Sequence, residues 1–154
     1  MADSLYDQKV ARCDGGCEIR LRACSSHEAV EAMTDRICQA LAECPLSDKD
    51  RFHLKLVVHE ALTNAAEHGN HSDPTKHVTV ACRCGPDQVT LVVDDEGEGF
   101  DPSTLPDPTA GENLLKESGR GVFLIRAYAD ECRFENGGRR TVIVKRLHPT
   151  PAEP

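Results

Sequence analysis

Apolar and polar positions recur along the chain with two periods, and together they predict an ordered set of helices and strands. Residues 18–23 alternate and predict a half-buried strand, whereas residues 27–43 and 48–69 carry apolar residues at helical spacing. The second helix is expected to bury Phe52, Leu56, Val57, Ala61, Leu62 and Ala65. Further strands are predicted over residues 76–84, 88–94, 131–136 and 140–146, and a further helix over 122–129.

Turn signals connect these elements into hairpins. Gly, Pro and Asp occupy residues 85–87, and Asn-Gly-Gly occupies 136–138. Strands joined by hairpins and mixed with helices predict an α+β two-layer sandwich, with helices on one face of a mixed, mostly antiparallel sheet. We expect residues 1–16 to be a loose leader, 17–147 to form the domain, and 148–154 to be a disordered tail.

Composition narrows the classes of partner. The 154 residues suit one domain, and a net charge of -8 with no basic stripe argues against general binding to nucleic acid or to an anionic membrane surface. No apolar run approaches the roughly 20 residues of a membrane helix, and the first ten residues lack the apolar block of a signal peptide. The sequence therefore predicts a cytoplasmic protein without nucleic-acid or membrane partners.

Eight cysteines raise the question of a metal site. Cys13 and Cys17 have loosely zinc-like spacing, but Cys82 and Cys84 are closer together than zinc ligands usually are. Free thiols packed as small apolar residues in a reducing compartment are the favoured interpretation. A Cys13–Cys17 disulfide formed in air is the incidental alternative.

Glu60 and Asn64 lie four residues apart in the second predicted helix, so both project from one face. An asparagine oxygen can bind Mg²⁺, and the metal can bridge phosphates. A carboxylate beside it can orient or deprotonate a hydroxyl that attacks a γ-phosphate. Two polar residues on a solvated helix face would give the same pattern, so the pair alone leaves both interpretations open.

A second polar motif, residues 95–99, follows the predicted strand 88–94 and reads Asp-Glu-Gly-Glu-Gly. Asp95 can accept a hydrogen bond from an exocyclic amine, and Gly97 and Gly99 let the backbone pass close to a base or ribose. Acidic glycine turns are common and some bind calcium, although this spacing does not continue as an EF-hand loop. The common phosphate-loop motifs are absent from the chain.

A third motif, Gly119-Arg120-Gly121, begins the helix predicted over 122–129. Free backbone N–H groups at a helix start bind phosphate well, although a simple helix-entry turn explains the same residues. The polar, Pro- and Gly-rich stretch before it, residues 101–118, is too long for an ordinary connection and indicates a functional or mobile segment.

The order and spacing of the three motifs resemble the GHKL family of ATP-binding domains, which share the Bergerat fold. The resemblance spans roughly residues 51–147. At residues 60–65 and 119–125 the chain resembles the short bacterial anti-sigma-factor serine/threonine kinases in particular.

This resemblance implies a role for each candidate residue. Asn64 would hold Mg²⁺ and Glu60 would be the general base. Asp95 would bind the adenine amino group of ATP in a pocket shaped by Gly97 and Gly99. Residues 102–118 would form a lid over the nucleotide. The candidates expected near the phosphates are Lys116, Gly119, Arg120 and Gly121.

The resemblance also implies partners. Such kinases phosphorylate a serine on an anti-anti-sigma (STAS-type) protein, alternately sequester a sigma factor, and are typically homodimers. Two alternatives remain. One is the ATP-binding catalytic domain of a histidine kinase, with His27, His53 or His59 as phosphate acceptors by residue type alone. The other is a nucleotide-responsive binding module without kinase activity.

Overall fold

A computed structural model describes residues 7–13, 16–44, 46–99 and 124–147 of the chain, with backbone alone for residues 7 and 9–13. Its strands are β1 (Asp7–Cys13), β2 (Gly16–Cys24), β3 (His77–Cys84), β4 (Gln88–Asp94), β5 (Glu131–Glu135) and β6 (Arg140–Arg146). Its helices are α1 (His27–Leu41), α2 (Asp48–Thr63) and α3 (residues 124–128). None of the helices in these ranges is both long and apolar enough to cross a membrane.

The six strands form one sheet in the order β1-β2-β3-β4-β6-β5. Every pairing among them is antiparallel. A tight 3₁₀ turn at Asn136–Gly138 folds β6 back from β5, and β6 then pairs with β4, so β5 becomes an edge. The predicted α+β sandwich is confirmed.

Both long helices begin at a serine, as their sequences predict. The hydroxyl of Ser26 accepts a hydrogen bond from the Ala29 N–H at 3.1 Å, and that of Ser47 accepts one from the Asp50 N–H at 3.1 Å. Each bond satisfies a backbone donor that the first helical turn leaves open. The apolar sides of the helices cover one face of the sheet in a single core, which includes Ile19, Leu21, Met33, Ile37, Val57, Leu62, Val80, Leu91 and Ile143.

The prediction that Phe52 belongs to this core is wrong. Its side chain is 60% exposed, whereas Leu54, Val57 and Val58 are buried. Successive helical residues are rotated by about 100°, so positions 52 and 54 lie on nearly opposite sides of α2. Burying the Leu54 side therefore turns Phe52 outward.

The expected loose leader is also wrong for Asp7–Cys13, which form strand β1 and pair with β2 along their whole length. Arg36 of α1 connects this edge strand to the helix layer, because its Nε donates a hydrogen bond to Gln8 Oε1 at 2.6 Å. The expected tail, residues 148–154, lies outside the described residues.

Candidate functional site

Glu60 and Asn64 are both half-buried at the carboxyl-terminal end of α2. Asn64 is the residue at which α2 ends, and its N–H still bonds to the carbonyls of Ala61 and Glu60. Helical geometry therefore continues across the pair, and the two side chains lie one turn apart. A carboxylate and an amide oxygen therefore share one helix face.

The helix widens immediately after this pair. Asn64–Gly69 form a π-helical turn rather than the continuation of α2 predicted from the sequence. Its hydrogen bonds reach one residue further than in an α-helix, as shown by the bond from Asn70 N–H to the Ala65 carbonyl at 2.9 Å. Such turns are common at functional sites. Here the turn brings Gly69 and Asn70 against the loop that follows β4.

Asp95 begins that loop and is held by its backbone and its side chain. Its N–H donates to the Arg139 carbonyl at 2.9 Å, and its Oδ1 accepts from the Gly97 N–H at 2.9 Å. Burial raises the pKa of Asp95, against the opposing effects of the Gly97 hydrogen bond and the nearby Arg139. A half-buried carboxylate with one such bond keeps acceptor positions for a further donor.

Gly97 and Gly69 pack backbone against backbone. A Cβ atom at Gly97 would overlap the Gly69 carbonyl, and a Cβ atom at Gly69 would overlap the Asp95 carboxylate. The side chain of Arg139 secures the same loop, because its Nε donates to the Gly97 carbonyl at 2.9 Å. The end of the Glu60–Asn64 helix and the Asp95 loop are therefore fixed in direct contact.

Gly99, the second predicted pocket residue, has a left-handed backbone with φ +81°. Residues with a Cβ atom rarely adopt that conformation. A Cβ atom there would also overlap the Gly137 carbonyl. Glycine is therefore required at the point where the loop passes the β5–β6 turn.

Asn70 is fully buried and joins three parts of the site. Its Nδ2 donates to Ser25 Oγ at 2.8 Å and to the His77 carbonyl at 3.0 Å, and its Oδ1 accepts from the Glu96 N–H at 2.8 Å. Sequence reasoning missed this residue. An asparagine after a glycine at a helix end suggests only a cap, and the bond to Glu96 spans 26 residues.

The side chain of Glu96, the residue after Asp95, bonds to strand β3 at His77. Its carboxylate accepts a hydrogen bond from the His77 backbone N–H. The same oxygen lies 3.2 Å from Nδ1 of the His77 ring. The backbone bond is the main reason that the pKa of Glu96 is lowered. Glu96 thus secures the start of β3 beside the site.

The three candidate phospho-accepting histidines have structural contacts. His59 Nε2 lies 2.7 Å from Glu31 Oε1, and His27 Nε2 lies 3.8 Å from the same atom. His53 stacks on Tyr128 with ring centroids 4.3 Å apart. The Glu31 contact orients His59 beside Glu60 and links α1 to the site helix.

Four predicted site residues, Lys116, Gly119, Arg120 and Gly121, lie outside the described residues, as does the expected lid over 102–118. Within the described ranges, no group of three or more His, Cys, Asp or Glu side chains could hold a metal ion. Mg²⁺ usually takes only one or two protein oxygens and fills its shell with phosphate and water oxygens. The amide oxygen of Asn64 is a donor of the type that Mg²⁺ accepts when it binds together with a nucleotide.

Comparison with known proteins identifies the family to which the chain belongs. Residues 24–146 match the family described as the histidine kinase-like ATPase domain. The chain therefore belongs to the histidine kinase-like ATPase family, and the resemblance to GHKL ATP-binding domains is confirmed.

Within this family the chain is similar to named bacterial regulators. It is 33% identical over 98 residues to the serine-protein kinase RsbW of Bacillus subtilis, covering 58% of this chain and 59% of that protein. It is 30% identical over 120 residues to the RsbW of Staphylococcus epidermidis, covering 73% and 76%. It is 34% identical over 79 residues to the anti-sigma F factor of Oceanobacillus iheyensis, covering 50% of this chain and 54% of that protein. The chain thus spans somewhat more than half of the Bacillus protein.

Proposed function

We propose that this chain is an ATP-dependent protein serine kinase of the anti-sigma-factor type. One observation carries the proposal: the loop that begins with Asp95 packs through Gly97 against Gly69, at the end of the helix that bears Glu60 and Asn64. A group suited to an adenine and a pair suited to phosphate chemistry therefore lie on two segments that are in direct contact.

Asp95 would bind the adenine. Its carboxylate is half-buried and already positioned by the Gly97 N–H, so it can accept the exocyclic amine of the base without reorganising. Gly97 and Gly99 would let the base approach the backbone closely. A hydrogen-bonding group of this kind discriminates against bases that lack the amine, because its buried acceptor would then remain unpaired.

Asn64 and Glu60 would act at the phosphates. Bound Mg²⁺ would supply charge neutralisation at the β- and γ-phosphates, and the Asn64 amide oxygen would hold it there. Glu60 would orient the serine hydroxyl of the partner and accept its proton. Lys116, Arg120 and the backbone N–H groups of Gly119 and Gly121 would complete the phosphate contacts.

The substrate would be a serine on an anti-anti-sigma protein of STAS type, and the chain would sequester a sigma factor when that partner is phosphorylated. The similarity to proteins named serine-protein kinase and anti-sigma F factor supports this assignment. We place the chain in the cytoplasm and expect a homodimer.

Titration calorimetry with ATP and ADP, with and without Mg²⁺, tests the site. We expect Mg²⁺-dependent ATP binding in the unmodified chain and its loss in Asn64→Ala. Glu67→Ala is the matched control, because Glu67 is exposed on the same π-helical turn. Unchanged affinity in Asn64→Ala would remove Asn64 from the metal site, and no ATP binding at all would overturn the proposal.

Transfer of labelled γ-phosphate to purified STAS-type proteins of the same organism tests catalysis. Glu60→Gln is expected to retain ATP binding and to slow transfer by about 10²-fold or more. Glu67→Gln should transfer at the unmodified rate. Complex formation that depends on nucleotide, without any phosphoserine, would instead identify a binding module, and phosphate on His27, His53 or His59 would identify histidine-kinase chemistry.

A further inference from the structure

Four cysteines converge at the end of the sheet that is remote from the candidate nucleotide site. Cys17 lies at the start of β2, Cys82 and Cys84 end β3, and Cys44 follows α1. The opposite end of β3, at His77, adjoins the site loop. The thiols share one cavity, too small to admit water, with Ile19, Ala40 and Leu41.

This cluster is a group of free thiols rather than a zinc centre. All seven cysteines in the part of the chain described with side chains are free, and no three potential ligands there are arranged to hold a metal. The chemistry that remains for neighbouring thiols is oxidation to a disulfide.

The sheet register selects one pair. Cys17 and Cys84 are directly opposite each other on antiparallel strands, so their side chains point to the same face. Opposed residues of this kind have Cα atoms about 4.5–5.5 Å apart. A disulfide requires a Cα separation of about 4.4–6.8 Å, so the pair can close with little backbone movement.

The two thiols also differ in access. Cys17 is half-buried and Cys84 is buried, so Cys17 is the residue that a peroxide would meet first. Burial, followed by the neighbouring Cys44 thiol, raises the pKa of Cys84 to about 12. Cys84 therefore remains a thiol at neutral pH and has to lose its proton as it attacks, so its role in the second step rests on its position opposite Cys17.

We propose that Cys17 and Cys84 form an oxidation site that closes to an intramolecular disulfide when the protein meets hydrogen peroxide. The Cys17 thiolate attacks the peroxide oxygen, giving a sulfenic acid and releasing hydroxide, which takes up the thiol proton as water. The Cys84 sulfur then attacks the Cys17 sulfur, loses its proton, and expels the sulfenic oxygen as a second water. Two thiols are oxidised by two electrons and one peroxide is reduced.

The bond would attach the amino-terminal hairpin, β1 and β2, covalently to β3. That hairpin meets the rest of the sheet through the β2–β3 pairing alone, because β1 is an edge strand. The disulfide should therefore stabilise this edge of the sheet against unfolding, and it should leave the distant nucleotide site unchanged.

The test is to treat the full chain with hydrogen peroxide, block the remaining thiols, and map tryptic peptides without reduction. Trypsin separates Cys82 from Cys84, because it cleaves after Arg83, and it places Cys44 on another peptide. We expect peptide 13–20 to be joined to peptide 84–116. Peptide 13–20 also contains Cys13, so the same product must persist in Cys13→Ser and vanish in Cys17→Ser.

Thermal unfolding gives a second readout. Peroxide should raise the Tm by about 5–10 °C in the unmodified chain and in Cys132→Ser, but not in Cys17→Ser. Cys132 is a suitable control because it is half-buried in β5 and lies opposite Ile143 rather than another cysteine. A product joining Cys84 to Cys44, a Cys13–Cys17 loop, or no cross-link would each overturn the proposal.

Discussion

The two ends of strand β3 are held in opposite ways. At the His77 end, Asn70 and Glu96 make directional hydrogen bonds, and two glycines bring backbones into contact. At the Cys84 end, thiols and aliphatic side chains predominate, and the directional contacts are weak thiol hydrogen bonds of Cys84 and one close approach of a glycine backbone to its carbonyl. Hydrogen bonds and backbone contacts tolerate little change in shape, whereas apolar packing tolerates conservative substitution. The candidate site is thus built on the less tolerant end.

The sharpest test of this contrast replaces one glycine near each end of β3 with alanine. Gly97→Ala should reduce ATP affinity by about 10²-fold or more, since the new methyl group would displace the loop from the Gly69 backbone. Calorimetry of the variant measures the loss.

Gly85→Ala, in the turn beyond Cys84, is the matched control. The nearest atom to a Cβ there is the Gln88 carbonyl oxygen at 3.6 Å, an ordinary contact. Its ATP affinity should equal that of the unmodified chain. Equal affinities in all three proteins would show that the Gly97 contact does not shape the site.

Asn70→Ala should have the next largest effect. It leaves the Glu96 N–H and the His77 carbonyl without their buried partner, which lowers the free energy of unfolding by about 2–4 kcal/mol. Urea denaturation measures this change.

Cys82→Ala is the comparison at the other end of the strand. Cys82 is equally buried, but it is replaced by a slightly smaller apolar group, so we expect a loss of about 1 kcal/mol. If Cys82→Ala proved more destabilising than Asn70→Ala, the contrast between the two ends would be wrong.

The smallest expected effect concerns the charge of Asp95. Burial raises its pKa in the folded chain above the ordinary value of 3.8, so folding favours the protonated form. The stability that this contributes is present below pH 3.8 and is lost as pH rises through the raised pKa. At pH 7, Asp95→Asn should therefore raise the Tm by no more than a few degrees while weakening ATP binding.

The Tm difference for Asp95→Asn should shrink as pH falls through 3.8, because Asp95 then becomes protonated in the unfolded chain as well. Glu98→Gln controls for a general loss of negative charge, because Glu98 is exposed in the same loop. A lower Tm in Asp95→Asn at pH 7 would mean that the charged carboxylate stabilises the fold.

Local patterns predicted much of this structure. The serine caps, the alternation in β2 to β4 and the Asn-Gly-Gly turn each act within a few residues, so their elements lie where the sequence indicates. Strand β1 escaped prediction because its composition is largely polar. The Gly69–Gly97 contact and the bonds of Asn70 to Ser25 and Glu96 escaped because they join segments more than 25 residues apart.

The π-helical turn at Asn64–Gly69 has the effect of an insertion. One extra residue per turn rotates everything that follows by about 100° relative to the α-helical phase of Glu60 and Asn64. Deleting one residue within it could restore an unbroken α-helix that still carries the pair, yet it would turn Gly69 and Asn70 away from Asp95. The site thus depends on the rotation that the π-helical turn introduces. Deleting one residue of the turn would disrupt the site although every candidate site residue is retained.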